Sequence, residues 1–232
     1  MARLVVKVGG AVAGRSAQAV LELAAADEVC VVHGAGPQIS REMELAGIPV
    51  EFVGGRRVTT PEGLAIVRAS LQAVNETLCA AIGERAEPLY GDEIGLEADA
   101  VPELGLVGEA RPSPLPAIVG ALEAGKIPVV APIARDPLSL EALNVNADSA
   151  SAAIAAGIHA DRLLFLTDVD GLILDGEVVD SIALEAAEEL LASGTLEGGI
   201  IPKLGAAVAA ARGGVPASIG RTLVAGAKVP AA

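Results

Sequence analysis

Residues 29–37 read Val-Cys-Val-Val-His-Gly-Ala-Gly-Pro, and Gly47 follows ten residues later. The apolar, β-branched run predicts a buried strand over 29–32. Pro37 stands where a helix can begin and Gly47 where it would stop, which puts Gly36 at a helix N-terminus and makes Gly34-Ala35-Gly36 a tight connection. A strand apolar on both faces must be covered on both, so this unit belongs to an α/β protein with a mostly parallel sheet.

The same alternation extends outward in both directions. Residues 4–8 read as a strand, Gly9-Gly10 as a turn and 17–26 as a helix. After a hairpin near 50–58, Thr60-Pro61 opens a long helix whose Leu64, Val67, Leu71, Val74, Leu78 and Ile82 step by three or four, a stripe suited to the core or to a dimer interface. Residues 90–116 are the least regular part and suggest a hairpin with loops. A helix over 115–124 closed by Gly125 and a buried strand over 127–131 come next. The second half predicts a helix at 149–156, a strand at 162–167 and a hairpin at 172–179 around Asp175-Gly176. Helices at 184–193 and 202–212 follow, then a short strand at 217–219 and a small-residue tail. We expect a three-layer α/β/α sandwich around a central, mostly parallel sheet, a single domain over 1–232 with lobes dividing at 143/144.

Composition narrows the function. The 232 residues carry 16 Lys and Arg against 30 Asp and Glu, a net charge of -14, which repels nucleic acid and anionic membranes at long range. An anionic ligand would therefore be met by a few local cations set against this field. Cys30 and Cys79 lie in apolar stretches and read as buried free thiols. Neither a signal peptide nor a membrane span is visible, so a cytoplasmic protein is expected. With Phe52, Phe165 and Tyr90 as the aromatics and no Trp, a nucleotide base would sit against aliphatic side chains.

Several constellations can carry chemistry. Lys7 lies in an apolar strand just before Gly9-Gly10, where its ammonium either reaches a ligand or simply snorkels to solvent. The 33–37 turn offers unpaired N–H groups and a helix dipole to a carboxylate or phosphate, or is a tight turn and nothing more. His33 suits a structural, hydrogen-bonded role. Arg56 and Arg57 stand in a chain poor in positive charge; a guanidinium fork suits a carboxylate, and solvation is the expectation for Arg56. Asn144, Asn146 and Asp148 alternate along an extended segment before a helix and so face one way, although Asp148 could be only a cap. Thr167-Asp168-Val169-Asp170-Gly171 sits at a strand's carboxyl end, and Gly198-Gly199 through Lys203 at a helix start. No P-loop, zinc cluster or nucleophile elbow is present.

Taken in order, the segments VVKVGG (5–10), VVHGAGP (31–37), GRRVT (55–59), LGLVGE (104–109), GKIPVVAPI (125–133), NVNAD (144–148), LTDVDG (166–171) and GGIIPK (198–203) resemble the amino acid kinase family, within it the branch that phosphorylates N-acetyl-L-glutamate. The resemblance implies transfer of a phosphoryl group from ATP to that acceptor's side-chain carboxylate, the second step of arginine biosynthesis. It implies Lys7 and Lys203 as the lysines that stabilise the transferring group, with Asp148 positioning both. Ala35, Gly36, Arg57 and Asn144 would bind acceptor. Gly9 and Gly10, Asp168, Val169, Asp170, Gly171, Leu172 and Ile173, and Thr195, Leu196 and Glu197 would bind nucleotide. Mg2+ would bridge the ATP phosphates without a named protein ligand, and the expected assembly is a homodimer. Where the family usually has three glycines after the histidine, this sequence has Gly34-Ala35-Gly36. Two further readings fit less of the pattern: a kinase for carrier-protein-linked aminoadipate or glutamate, and a regulatory homologue that binds amino acid or nucleotide without turnover.

Overall fold

The computed structural model describes residues 1–9, 13–167, 169–174 and 176–226, with 13–15 as backbone alone. Its strands are β1 (Arg3–Val8), β2 (Glu28–His33), β3 (Phe52–Val53), β4 (Arg56–Arg57), β5 (Ala86–Tyr90), β6 (Glu97–Ala100), β7 (Val107–Arg111), β8 (Ile127–Ala131), β9 (Ile133–Arg135), β10 (Ala142–Val145), β11 (Arg162–Leu166), β12 (Ile173–Leu174), β13 (Glu177–Val178), β14 (Ser181–Ala183), β15 (Ala217–Ile219) and β16 (Thr222–Ala225). Its helices are α1 (Ala13–Leu23), α2 (Gly36–Leu45), α3 (Pro61–Ile82), α4 (Gly91–Ile94), α5 (Pro116–Glu123), α6 (Ala147–Gly157), α7 (Leu184–Ser193) and α8 (Ile200–Arg212).

Eight strands form the central sheet in the order β14-β16-β15-β11-β1-β2-β8-β5. β1 lies in its middle, parallel to β2 and β11. The period of two sends Leu4, Val6 and Val8 into the core shared with α1, α2 and α3, and Val5 into the opposite core with α5, α6 and α8. Lys7 therefore shares a face with Val5 and looks toward α6. That alternation is the three-layer sandwich expected from the apolar runs. The antiparallel pairing of β15 with β16 is the exception to the parallel order.

Most expected elements are present. The α3 stripe resolves as core: Val67, Leu71, Val74, Leu78 and Ile82 are all buried. Thr60 caps this helix by accepting from the Gly63 N–H at 3.1 Å. Helix α1 starts and ends before the expected 17–26, since its last apolar turn closes at 24–27 through N–H bonds back to Val20, Glu22 and Leu23. The irregular 90–116 stretch does contain a hairpin, β6 with β7, but this belongs to a small closed barrel, β10-β7-β6-β9. β5, β9, β14 and β16 escape sequence reading because they are short and carry Glu, Pro, Arg, Ser or Thr rather than a long apolar run. Residues 143 and 144 are both inside β10. Of the Asp175-Gly176 turn, Asp175 lies outside the described residues, while β12 and β13 pair as expected.

One loop glycine fastens the barrel to the sandwich. Gly105 has φ +80°, and a Cβ there would lie 2.4 Å from the Thr59 carbonyl oxygen; the Thr59 N–H and C=O bond Leu104 and Leu106 on either side. Gly105→Ala should cost on the order of 2 kcal/mol, a fall in Tm of about 4–8 °C. A thermal melt with an unchanged midpoint would contradict this close approach.

Candidate active site

Lys7 ends up buried, with its side chain 11% exposed and Nζ 2.8 Å from Oδ1 of Asp148, itself 7% exposed. The contact is an ion pair at close range, not an aligned hydrogen bond, since Oδ1 has no partner of hydrogen-bond geometry. Asp148 is not the helix cap: Asn146 holds that place, its Oδ1 accepting from the Asp148 N–H at 2.7 Å. Because Asn146 satisfies the backbone, the Asp148 carboxylate is left to face Lys7, beside the positive end of α6. Removing one partner from so buried a pair leaves an uncompensated charge and costs about 3–5 kcal/mol.

Arg57 is the second buried cation, 6% exposed. One terminal nitrogen donates to the Gly36 carbonyl at 3.1 Å and to Ser40 Oγ at 2.8 Å, the other reaches Met43 Sδ at 3.5 Å. Its carbon centre lies 4.6 Å from the Phe52 ring centroid, in cation–π range. Burial pushes the guanidinium below its usual range, far short of discharging it. No carboxylate among the described residues pairs with it. Arg56, expected to be solvated, is 39% exposed and also pairs with Glu109.

Both cations open on one cavity of about 330 Å3. Its walls include Gly9, Gly34, Ala35, Gly36, Asn144 and Asp148. Asn144 is oriented by a bond from Nδ2 to Thr59 Oγ1 at 3.0 Å. Ala35 sits at the α2 N-terminus with φ -140°, and its methyl belongs to the buried core. That backbone needs no glycine, so the methyl is carried without strain. A Cβ on Gly36, in contrast, would meet nothing within 4 Å, which matches its place on the cavity wall.

A second cavity, about 370 Å3, is lined by Thr167, Val169, Gly171, Ile173, Glu197, Gly199, Ile200 and Lys203. Its walls are largely aliphatic: Val169 is 44% and Ile173 61% exposed. The Lys203 Nζ lies 3.4 Å from the Gly199 carbonyl. Lys203 therefore does not share the Lys7 cavity in this structure. Leu172 faces the core instead, 1% exposed, its N–H bonded to Thr222 Oγ1 at 2.8 Å. Asp170 is exposed and uses its carbonyl to accept from the Arg221 N–H. Thr195 bonds Ser193, and Leu196 packs against the core. Gly10 and Asp168 lie outside the described residues.

Sequence reading missed Ser40, Phe52 and Thr59. Ser40 is one helical turn beyond Gly36 and so shares its face; Phe52 and Thr59 had no signal beyond proximity to Arg57. His33 is structural, as expected: fully buried, its Nε2 faces Asn75 Nδ2 at 3.1 Å, and Asn75 also bonds the Val129 carbonyl and Cys79 Sγ. Both thiols are free, Cys30 buried and Cys79 only partly so.

The profile of the amino acid kinase family matches residues 2–221. The chain belongs to this family. Acetylglutamate kinase of Nocardioides sp. is 43% identical over 204 residues, 80% of this chain and 64% of that protein. Acetylglutamate kinase of Rubrobacter xylanophilus is 40% identical over 226 residues, 94% of this chain and 88% of that protein. The chain thus spans just under two thirds of the first relative and most of the second. The solved structure of smu.665 from Streptococcus mutans superposes with a TM-score of 0.83 at 28% identity, over 96% of this chain and 98% of that one. The amino acid kinase fold expected from the sequence is the fold observed.

Burial pushes the His33 imidazole down to about 4, against a smaller opposing effect of the Gly34 backbone. Unfolded, it titrates near 6.5. Between pH 6.5 and 4 the unfolded chain thus binds more protons, and stability falls as pH drops through that window, by up to about 3 kcal/mol from this group. Urea midpoints at pH 7 and 4.5 should fall further for the wild type than for His33→Gln, whose decline keeps only the carboxylate part. Equal declines would contradict the buried, neutral ring.

Proposed function

We propose that the chain transfers the γ-phosphoryl group of ATP to the side-chain carboxylate of N-acetyl-L-glutamate, giving N-acetyl-L-glutamyl 5-phosphate and ADP, the second step of arginine biosynthesis. The observation that carries this reading is Arg57: a buried guanidinium without a carboxylate partner among the described residues, opening on a small cavity that also holds Lys7. Such a cation is stabilised when an anion enters. The cavity volume suits a ligand of a dozen or so heavy atoms, and the two acetylglutamate kinases compared above support the identity of the acceptor.

In this reading Arg57 and Asn144 hold the acceptor while the α2 N-terminus, from Ala35 and Gly36, faces its negative charge. The acceptor carboxylate is already ionised at neutral pH, so no general base is required. Its oxygen forms a bond to the γ-phosphorus as the bond from that phosphorus to the β–γ bridging oxygen breaks, and the electron pair leaves on ADP; no proton moves. The obstacle is bringing two anions into line. Lys7 approaches from the acceptor side and Lys203 from the nucleotide side, where Val169, Ile173 and Ile200 offer an aliphatic bed for the base. Asp148 holds the Lys7 amine in position. Because the two lysines line different cavities, transfer requires the N-terminal turn of α8 to close toward that of α6.

Magnesium is part of the reading as an ion carried by the nucleotide, where it neutralises the phosphate oxygens. Among the described residues no three His, Cys, Asp or Glu side chains gather as a cage, and Asp148 is engaged by Lys7. That donor set fits a metal held through phosphate. A cytoplasmic homodimer completes the proposal, supported by the family resemblance; no helix among the described residues is long and apolar enough to cross a membrane.

The direct test is hydroxylamine trapping of the acyl phosphate, with ADP release measured beside it. ADP should form only when N-acetylglutamate is present. Lys203→Ala should lower kcat by about a hundredfold, the usual loss for one transition-state donor, with a much smaller change in the KM for ATP. A variant with unchanged kcat would remove Lys203 from the chemistry, and no hydroxamate from the wild type would refute the activity.

A further inference from the structure

Strand β4 is two residues long, and the strand period sends its two arginines to opposite sides. Arg57 turns inward to α2. Arg56 turns the other way and pairs with Glu109 of β7. The hairpin that aims it is tight: Gly54 and Gly55 have φ of +55° and +77°, the left-handed pair that a two-residue turn with both central residues at positive φ demands. On β7, Glu109 lies two residues past Val107, which walls the acceptor cavity, and so points to the same side.

Arg56 lines two cavities at once. One is the acceptor cavity; the other, about 270 Å3, is bounded by Glu109, Asn146, Ser149, Pro202 and Gly205. Asn146 is also common to both. Pro202 immediately precedes Lys203 of the nucleotide-side cavity. This third space thus runs from the first turn of α6 along one face of α8, and Arg56 stands at its junction with the acceptor cavity, which Lys7 also lines. The ion pair that holds Arg56 there is half open to solvent, its side chains 39% and 42% exposed. A pair so exposed is weak, and a phosphoryl group with several charged oxygens competes for a guanidinium on better terms than one carboxylate.

We infer that Arg56 is a further catalytic residue: a guanidinium parked on Glu109 that leaves it for the phosphoryl group arriving in the cavity it shares with Lys7. This rests on the carboxylate-kinase reading above. Arg56 donates N–H bonds to the equatorial oxygens, while Glu109 acts as its resting partner. Arg57, on the opposite side of the strand, keeps the acceptor.

Four chains test this: the wild type, Arg56→Gln, Glu109→Gln and the double variant, each assayed for N-acetylglutamate-dependent hydroxamate formation, with thermal midpoints as a folding control. Arg56→Gln should lower kcat about tenfold or more and leave the KM for N-acetylglutamate within about threefold, because Arg57 still binds it. Glu109→Gln should keep kcat or raise it by up to about fivefold, the equivalent of roughly 1 kcal/mol released from an exposed pair. The double variant should behave as Arg56→Gln. Equal losses in the two single variants would make the pair a structural brace and overturn the inference. So would an unchanged Arg56→Gln, or a gain from Glu109→Gln that survives without Arg56. A wild type that forms no hydroxamate refutes the functional reading and takes this inference with it; an active wild type with indistinguishable variants refutes the inference alone.

Discussion

The pairing of Lys7 with Asp148 ties the middle of the sheet to the start of α6, and the site is arranged around it. Lys7 sits in a strand whose neighbours Val6 and Val8 are fully buried, and its amine emerges where a carboxylate and an open cavity meet it. Asp148 can serve because Asn146 has taken over the helix cap. One asparagine thus frees one aspartate, which in turn permits one lysine in an apolar strand.

The charge pattern follows the same logic at a larger scale. A chain of net charge -14 offers little general attraction to an anionic substrate, so affinity must come from cations held at fixed positions and shielded from the surrounding acids. Arg57 is held by a carbonyl, a hydroxyl, a thioether and an aromatic face rather than by a carboxylate. Neutral partners orient the guanidinium without cancelling its charge. Arg56 is treated in the opposite way, exposed and paired with an acid. The two adjacent arginines are therefore suited to different tasks, a permanent anchor and a releasable contact.

Much of this was legible in the sequence because the decisive elements are long and strongly patterned. Val29 to Val32 read as a strand buried on both faces, and the six-residue stripe of α3 showed the helix and its apolar face, while its burial in the core rather than in a dimer interface came from the structure. Asn144, Asn146 and Asp148, expected at alternate positions of an extended segment, do border one cavity, but so do Val145 and Ala147, because the strand ends at Val145 and Asp148 is already in α6. What sequence could not give was partnership across the chain. The short strands of the barrel lack a periodic signal, Ser40 and Thr59 matter only through residues 17 and 85 positions away, and the Arg56 to Glu109 pair joins two segments with no local reason to meet. The same limit applies at 169–173: Leu172, expected from the resemblance to bind nucleotide, turns into the core, with its N–H held by Thr222 Oγ1.

The spacing of the two lysines is where the account is most exposed, since each now borders its own cavity. A crystal structure with magnesium, a non-hydrolysable ATP analogue and N-acetylglutamate tests it directly. The account predicts both ammonium groups within about 3.5 Å of the terminal phosphate oxygens, with α8 shifted toward α6. Both ligands bound while Lys203 still borders only the far cavity would contradict it.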